Sequence, residues 1–328
     1  MLKQPDEAAA SRTATTARAP EPEPPRASRR PAARASAEYR RSPKRKKGLP
    51  MKSRALVLGG GGITGIAWEL GILAGLAEAG LDLGQADVLI GTSAGSVVAS
   101  LIADRTPIEE RYATQLEDPV NEVADRLSTR MLLGYGWAML WSRQPEQYRA
   151  RLGALAIANA RMTPDERRAV IASRLPDLDW PDRPLKITAS DAHTGEFVVF
   201  DRDSGVPLLD AVTASCAVPG VWPPAQINGR SYIDGGMRSA TNADLATGYE
   251  RVVIVAPVTV GGGLVSSASR HATDLRAAGA QVSLVSPDKA ARSAIGRNML
   301  DPARRAMSAR AGRAQAVVIA EEVATIWG

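Results

Sequence analysis

Apolar residues fall in short blocks along this chain, and each block stops at glycine or at turn residues. Ala55-Leu56-Val57-Leu58 is a continuous apolar run ending at four glycines, the pattern of a strand buried on both faces. Over 65–79 the apolar positions Ile66, Trp68, Leu70, Ile72, Leu73 and Leu76 recur at helical spacing, and the run ends at Gly80. Asp87-Val88-Leu89-Ile90 predicts a second strand, and 96–103 a second helix. Strand, glycine loop, helix, strand, tight turn and helix form the opening of a doubly wound α/β sheet. From about 104 to 174 strand signals vanish and helical patterns dominate, so a helical insertion is expected after the second helix. Strand character returns at 185–189 and 197–200, on either side of a hairpin turn at Asp191-Ala192-His193-Thr194-Gly195, and again at 251–255. Residues 286–328 read as a helical extension, with a helix over 301–325. The expected fold class is α/β, with a mainly parallel central sheet and flanking helices.

One apolar run resists assignment by period. Met131 through Trp141 carries large side chains at nearly every position. It reads either as an ordinary helix buried on the sheet or as an acyl-chain-binding wall or lid.

Charge divides the chain in two. Residues 1–50 hold 13 Lys or Arg against 5 Asp or Glu, which leaves 28 basic and 30 acidic residues in 51–328. The first fifty residues lack the large apolar side chains needed to offset ordering entropy, and are expected to be a disordered basic tail. The tail ends in Arg40-Arg41-Ser42-Pro43-Lys44-Arg45-Lys46-Lys47. That cluster reads either as a solvated arm or as one drawn to an anionic membrane surface. With only Tyr39 beside it for stacking, no nucleic acid partner is expected. A single cysteine, Cys216, rules out an internal disulfide, and no apolar run resembles a signal-peptide core or a membrane span. The expectation is a soluble cytoplasmic protein, with peripheral membrane contact left open.

Candidate chemistry gathers at three predicted strand ends. Gly59-Gly60-Gly61-Gly62-Ile63-Thr64-Gly65 offers backbone N–H donors at a helix start, an anion or oxyanion pocket. It also fits the dinucleotide pattern. Against a nucleotide, the second strand ends in Ile90-Gly91-Thr92-Ser93 with no acidic residue for a ribose, and no Lys-Ser or Lys-Thr completes a phosphate loop. Gly91-Thr92-Ser93-Ala94-Gly95 has the form of a nucleophile elbow, with Ala94 N–H able to join the glycine loop as a donor. Ser231-Tyr232-Ile233-Asp234-Gly235-Gly236 brings a carboxylate to a turn, which is either a plain hairpin or the base for the serine. The two histidines are weaker candidates: His193 sits in the solvent-facing turn, and His271 lies in a polar stretch with little structural signal. No residue spacing suggests a metal site, and no cofactor is expected.

Together these blocks resemble the patatin-like phospholipase family, acyl hydrolases with a Ser–Asp dyad. The resemblance covers 53–260, within a domain expected over 51–328. A further family block is similar to Thr213-Ala214-Ser215-Cys216-Ala217-Val218-Pro219 with Pro223-Pro224 behind it. By this resemblance Ser93 is the nucleophile and Asp234 the base. Gly60, Gly61 and Gly62 supply oxyanion N–H groups, and Gly65, Gly91, Gly95, Gly235 and Gly236 complete the motifs. The implied substrate is a lipid or fatty-acyl ester. The family's usual basic residue after Ile63 is here Thr64, which counts against a phosphate head-group preference. A non-catalytic lipid-binding protein on the same fold, and a nucleotide-binding α/β protein, are the rival readings.

Overall fold

The computed structural model describes residues 53–104, 106–118, 127–160, 162–176 and 179–328, so the basic tail expected over 1–50 lies outside the described residues. The chain opens with β1 (Arg54–Leu58), α1 (Gly62–Glu78), β2 (Val88–Gly91) and α2 (Ala94–Ala103). Then come α3 (Ile108–Thr114), α4 (Thr129–Leu140), α5 (Pro145–Ala158) and α6 (Pro164–Ala172). The sheet resumes with β3 (Leu185–Asp191) and β4 (Phe197–Phe200), followed by α7 (Leu208–Ser215), β5 (Ala225–Ile227) and β6 (Arg230–Asp234). The remainder is β7 (Arg251–Val255), α8 (Ala268–Ala277), β8 (Gln281–Val285), α9 (Lys289–Ile295) and α10 (Arg305–Trp327). Among the described residues no helix is long and apolar enough to cross a membrane.

The strands form one sheet in the order β5-β6-β3-β2-β1-β7-β8, with β4 on β3. β3, β2, β1, β7 and β8 run parallel; β4 and β6 pair antiparallel with β3, and β5 pairs antiparallel with β6. Alternate residues of the central strands feed opposite cores. Leu56, Leu58, Leu89, Val253 and Val255 pack with Trp68, Leu70 and Val98 on one face. Ala55, Val57, Val88, Ile90, Val252 and Ile254 pack with Ala268, Ala272 and Leu275 of α8 on the other. A sheet covered on both faces needs apolar residues at every position, which is why β1 and β7 read as unbroken runs. This is the expected three-layer α/β arrangement. β5 and β8 fall outside the strands expected from sequence; in β8, Gln281 and Ser283 interrupt the apolar signal.

Two features of this scaffold position the chemistry. The first is the register around β3. β4 pairs with Ile187 and Ala189 from one side, so the partners those two residues have on the other side share a single edge. On that edge Ile187 pairs with Gly91, the last residue of β2, and Ala189 pairs with Asp234, the last residue of β6. The parallel strand and the antiparallel strand therefore end head to head. The second feature is the close packing of α1 on α10. A Cβ added at Gly71 would lie 2.1 Å from Ala309 O, and one at Gly312 would lie 2.3 Å from Trp68 O. Trp68 Nε1 donates across this contact to Gln315 Oε1 at 3.1 Å. The C-terminal helix thereby fixes the helix whose N-terminus is the glycine loop.

Candidate active site

The glycine loop is anchored at its first two residues. Gly59 N–H donates to Val255 O at 2.9 Å and to Glu69 Oε1 at 2.8 Å, and Gly60 N–H donates to Ala240 O at 2.7 Å. Glu69 is buried on α1, where it braces the loop, and desolvation pushes its carboxyl well above the ordinary range. Gly62, at φ +59°, turns the chain into α1, and Gly65 N–H donates to Gly61 O at 2.8 Å. Among the described residues the N–H groups of Gly61, Gly62 and Ala94 have no protein acceptor. This corrects one expectation. Gly60 N–H is already committed, so the donors left for a ligand oxygen are those of Gly61, Gly62 and Ala94. Gly60 still shapes the site, because a Cβ there would lie 3.3 Å from Ser93 Cβ.

Ser93 sits at φ 54°, ψ −120°, between the end of β2 and the start of α2. For a residue with a side chain this conformation costs ~1–3 kcal/mol and persists only where the surroundings over-determine it. They do so here. Ser93 N–H donates to Ser215 Oγ at 2.9 Å, and Ser93 O accepts from Ser96 Oγ at 2.6 Å and Cys216 Sγ at 3.3 Å. The turn also needs its glycines for space. A Cβ at Gly95 would lie 2.0 Å from Leu58 O, and one at Gly91 would lie 2.5 Å from Ser96 Cα.

Asp234, almost fully buried at the end of β6, accepts from Gly236 N–H on Oδ1 at 2.7 Å. Burial pushes its carboxyl up to about 7, against the opposing pull of the Ser93 hydroxyl, the Gly236 N–H and the Arg167 charge. The Ser93 hydroxyl is close enough to exert that pull but stops short of full hydrogen-bond geometry, since Oδ2 is buried with no such partner. Oδ2 is therefore an acceptor still open to a proton.

The two histidines stand elsewhere. His193 is exposed in the β3–β4 turn, its N–H donating to Asp191 Oδ1 at 2.9 Å. His271, buried on α8, faces Asp244 at 3.6 Å, and burial lowers its pKa despite that carboxylate. A hollow of about 330 Å³ lined by Glu250, Arg251, Gly279 and Gln281 lies at the start of β7 and β8, the opposite end of the sheet from the glycine loop. Among the described residues no group of three or more His, Cys, Asp or Glu side chains is arranged to hold a metal ion.

With this geometry in place, comparison with known proteins is decisive for the family. A family model described as Patatin-like phospholipase matches residues 56–247, more than half of the chain. The chain belongs to the patatin-like phospholipase family. Among solved structures it is similar to VipD from Legionella pneumophila, at 14% identity over 84% of this chain and 67% of that one, with a TM-score of 0.42. It is also similar to the type III effector protein ExoU, at 18% identity, 84% and 54% coverage and a TM-score of 0.38. ExoU from Pseudomonas aeruginosa in complex with SpcU matches at 18% identity, 83% and 53% coverage and a TM-score of 0.35. The chain spans about half the length of the ExoU chains it matches.

In this patatin-like chain several residues that bear on the site carry no sequence motif. Asn242, buried and left-handed at φ 47°, donates from Nδ2 to Thr92 Oγ1 at 3.1 Å, Thr188 Oγ1 at 3.2 Å, Gly235 O at 3.2 Å and Ser239 O at 2.9 Å. Thr92 and Thr188 hydroxyls meet at 2.9 Å. This buried web ties the serine turn, β3 and the Asp-Gly-Gly turn into one unit. Arg167 of α6 is buried with its guanidinium 3.9 Å from the ring centre of Trp222, and its charge reaches both Asp234 and Cys216. Thr64 is turned away from ligand space: its N–H and hydroxyl both go to Met299 O, at 3.1 and 3.3 Å.

Proposed function

We propose that this chain is a serine acyl hydrolase of lipid carboxylic esters, with Ser93 as nucleophile and Asp234 as base. The observation that best supports the reading is the head-to-head junction on β3, which sets a strained serine beside a buried carboxylate whose pKa lies near 7. A base works best when its pKa lies near the operating pH, and an ordinary aspartate is too weak.

In the proposed reaction Ser93 Oγ attacks the ester carbonyl carbon while its proton passes to Asp234 Oδ2. The carbonyl oxygen becomes an oxyanion held by the N–H groups of Gly61, Gly62 and Ala94, at the positive end of α1. The intermediate collapses as the C–O bond to the alcohol breaks, and that alcohol leaves with the proton from Asp234. Water then attacks the acyl-enzyme, again deprotonated by Asp234, and the fatty acid departs with Ser93 restored. With Thr64 bound to Met299, the loop carries no cation of its own, which favours a neutral ester or lysolipid over selection by a phosphate head group.

The test is hydrolysis of p-nitrophenyl acyl esters by wild type, Ser93→Ala, Asp234→Asn and His271→Ala. The first two are expected to lose activity by a factor of ~10³ or more, and His271→Ala to keep it. Loss in His271→Ala with the fold intact would favour a Ser93–Asp234–His271 triad instead. An inactive wild type that still binds lipid would favour the non-catalytic reading.

A further inference from the structure

From Met131 onward helix α4 is apolar around its circumference, yet only half of it is packed. Met131 and Ala138 are buried, and Tyr135 and Met139 join the core against α5. The other half carries Leu132, Leu133, Trp137, Leu140 and, just past the helix, Trp141, which are 56, 71, 54, 80 and 62% exposed. These are five of the ten large apolar side chains exposed among the described residues, gathered on one stripe of one helix. A concentrated patch of this kind marks an interaction site, whereas isolated exposed apolar residues do not.

The surroundings indicate what covers it. Arg130 and Arg143 stand exposed at the two ends of the stripe. Arg151 lies 5.7 Å from the Trp137 ring centre and donates to Trp141 O at 2.6 Å. No acidic residue occurs from 127 to 145. Tryptophan with arginine around an aliphatic centre suits the boundary between lipid head groups and acyl chains. The 12-residue helix is too short to span a bilayer and fits one lying in its surface. The packed half faces the site. Tyr135 Oη donates to Pro219 O at 3.1 Å, and Met131 packs on Gly220, in the segment just after Ser215 and Cys216, which hold the Ser93 backbone.

We infer that the outer face of α4 docks this protein on an anionic lipid surface, bringing the Ser93–Asp234 site to the membrane. The inference rests on the acyl-hydrolase reading for its purpose, but its test is separate.

The experiment uses the full chain and a Leu132→Ser/Leu133→Ser/Leu140→Ser variant, which keeps Trp137 and Trp141, the two tryptophans of the stripe, as reporters. Each is mixed with vesicles of phosphatidylcholine alone or with phosphatidylglycerol, some carrying brominated acyl chains. Wild type is expected to sediment with the anionic vesicles, with its tryptophan fluorescence quenched by bromine. The variant should bind about tenfold more weakly or worse, with circular dichroism and hydrolysis of a water-soluble short-chain ester unchanged. The gap should persist in ~0.5 M salt, where attraction of the basic tail is screened. Equal binding by both proteins, or no quenching in wild type, would overturn the inference. So would a wild-type dimer that the variant abolishes, because a second copy would then cover the stripe. A wild type that binds vesicles but hydrolyses no ester would defeat the enzymatic reading and leave the docking face standing.

Discussion

Asp234→Asn removes a charge that the fold disfavours, so it should abolish activity and raise stability together. The Asp234 carboxyl has an ordinary pKa of 3.8 and is pushed up to about 7 in the native protein, with desolvation as the largest cause. Between those values the unfolded chain has released its proton while the folded chain retains it, so stability falls as pH rises through this window. The penalty is absent below about pH 4 and complete above about pH 7. A separation of about three pH units at ~1.4 kcal/mol each gives roughly 4 kcal/mol. Asparagine avoids this cost, and its side-chain oxygen still accepts from Gly236 N–H as Asp234 Oδ1 does at 2.7 Å. The assay is urea unfolding of wild type and variant from pH 4 to pH 9. The two should be equally stable at pH 4, and the variant should lead by ~3–4 kcal/mol at pH 8. Wild-type ester hydrolysis should climb through pH 7 over the same range. A stability difference that does not change with pH, or a variant weaker than wild type at pH 8, would refute the reasoning.

Four further outcomes follow from particular contacts and charges. Arg167→Gln removes the cation that holds the Asp234 carboxyl down, so the rising limb of the pH–activity profile should move to higher pH, read as kcat/KM on a soluble ester. Gly95→Ala places a methyl 2.0 Å from Leu58 O and should destabilise the fold by on the order of 3–5 kcal/mol. Gly136→Ala, on the open side of α4, should gain ~0.5–1 kcal/mol, both variants being read by thermal unfolding. Deleting residues 1–50 removes a net charge of +8 and should weaken sedimentation with anionic vesicles at low salt, while soluble-ester hydrolysis is unchanged.

The parts of the fold legible in sequence are those where one local requirement dominates. β1 and β7 announced themselves because burial on both faces permits nothing but apolar side chains. The glycines at 91 and 95 were legible because another backbone passes where a Cβ would stand. α4 could be found but not placed, since a helix apolar all round has no amphipathic face to give its orientation. Only the packing of Tyr135, Ala138 and Met139 against α5 decides which half is left exposed. Arg167 and Arg168 make the same point at side-chain level. Adjacent in sequence and alike in chemistry, one is buried over Trp222 near the dyad, and the other pairs with Asp210 at the surface.

The proposed dyad shows where local reading stops. Ser93 and Asp234 each lie at a recognisable strand end, but nothing in either segment says that the two ends meet. That depends on β2 and β6 sharing one edge of β3, with Gly91 opposite Ile187 and Asp234 opposite Ala189. A slip of one residue in either pairing would turn every side chain of that strand to the opposite face of the sheet. On the proposed mechanism register is therefore a functional quantity, and the residue between the two contacts, Thr188, is placed to hold it. Its hydroxyl touches Thr92 Oγ1 at 2.9 Å and accepts from Asn242 Nδ2 at 3.2 Å, joining the two strand ends through buried polar groups. Losing the Thr188 hydroxyl removes the link between the two strand ends, at a net cost of ~0.5–1.5 kcal/mol. Thr188→Val keeps the shape and deletes the hydroxyl, so it should lower kcat far more than it raises KM. If kcat survives with stability reduced, the web is mere core packing and the register is held by the backbone alone.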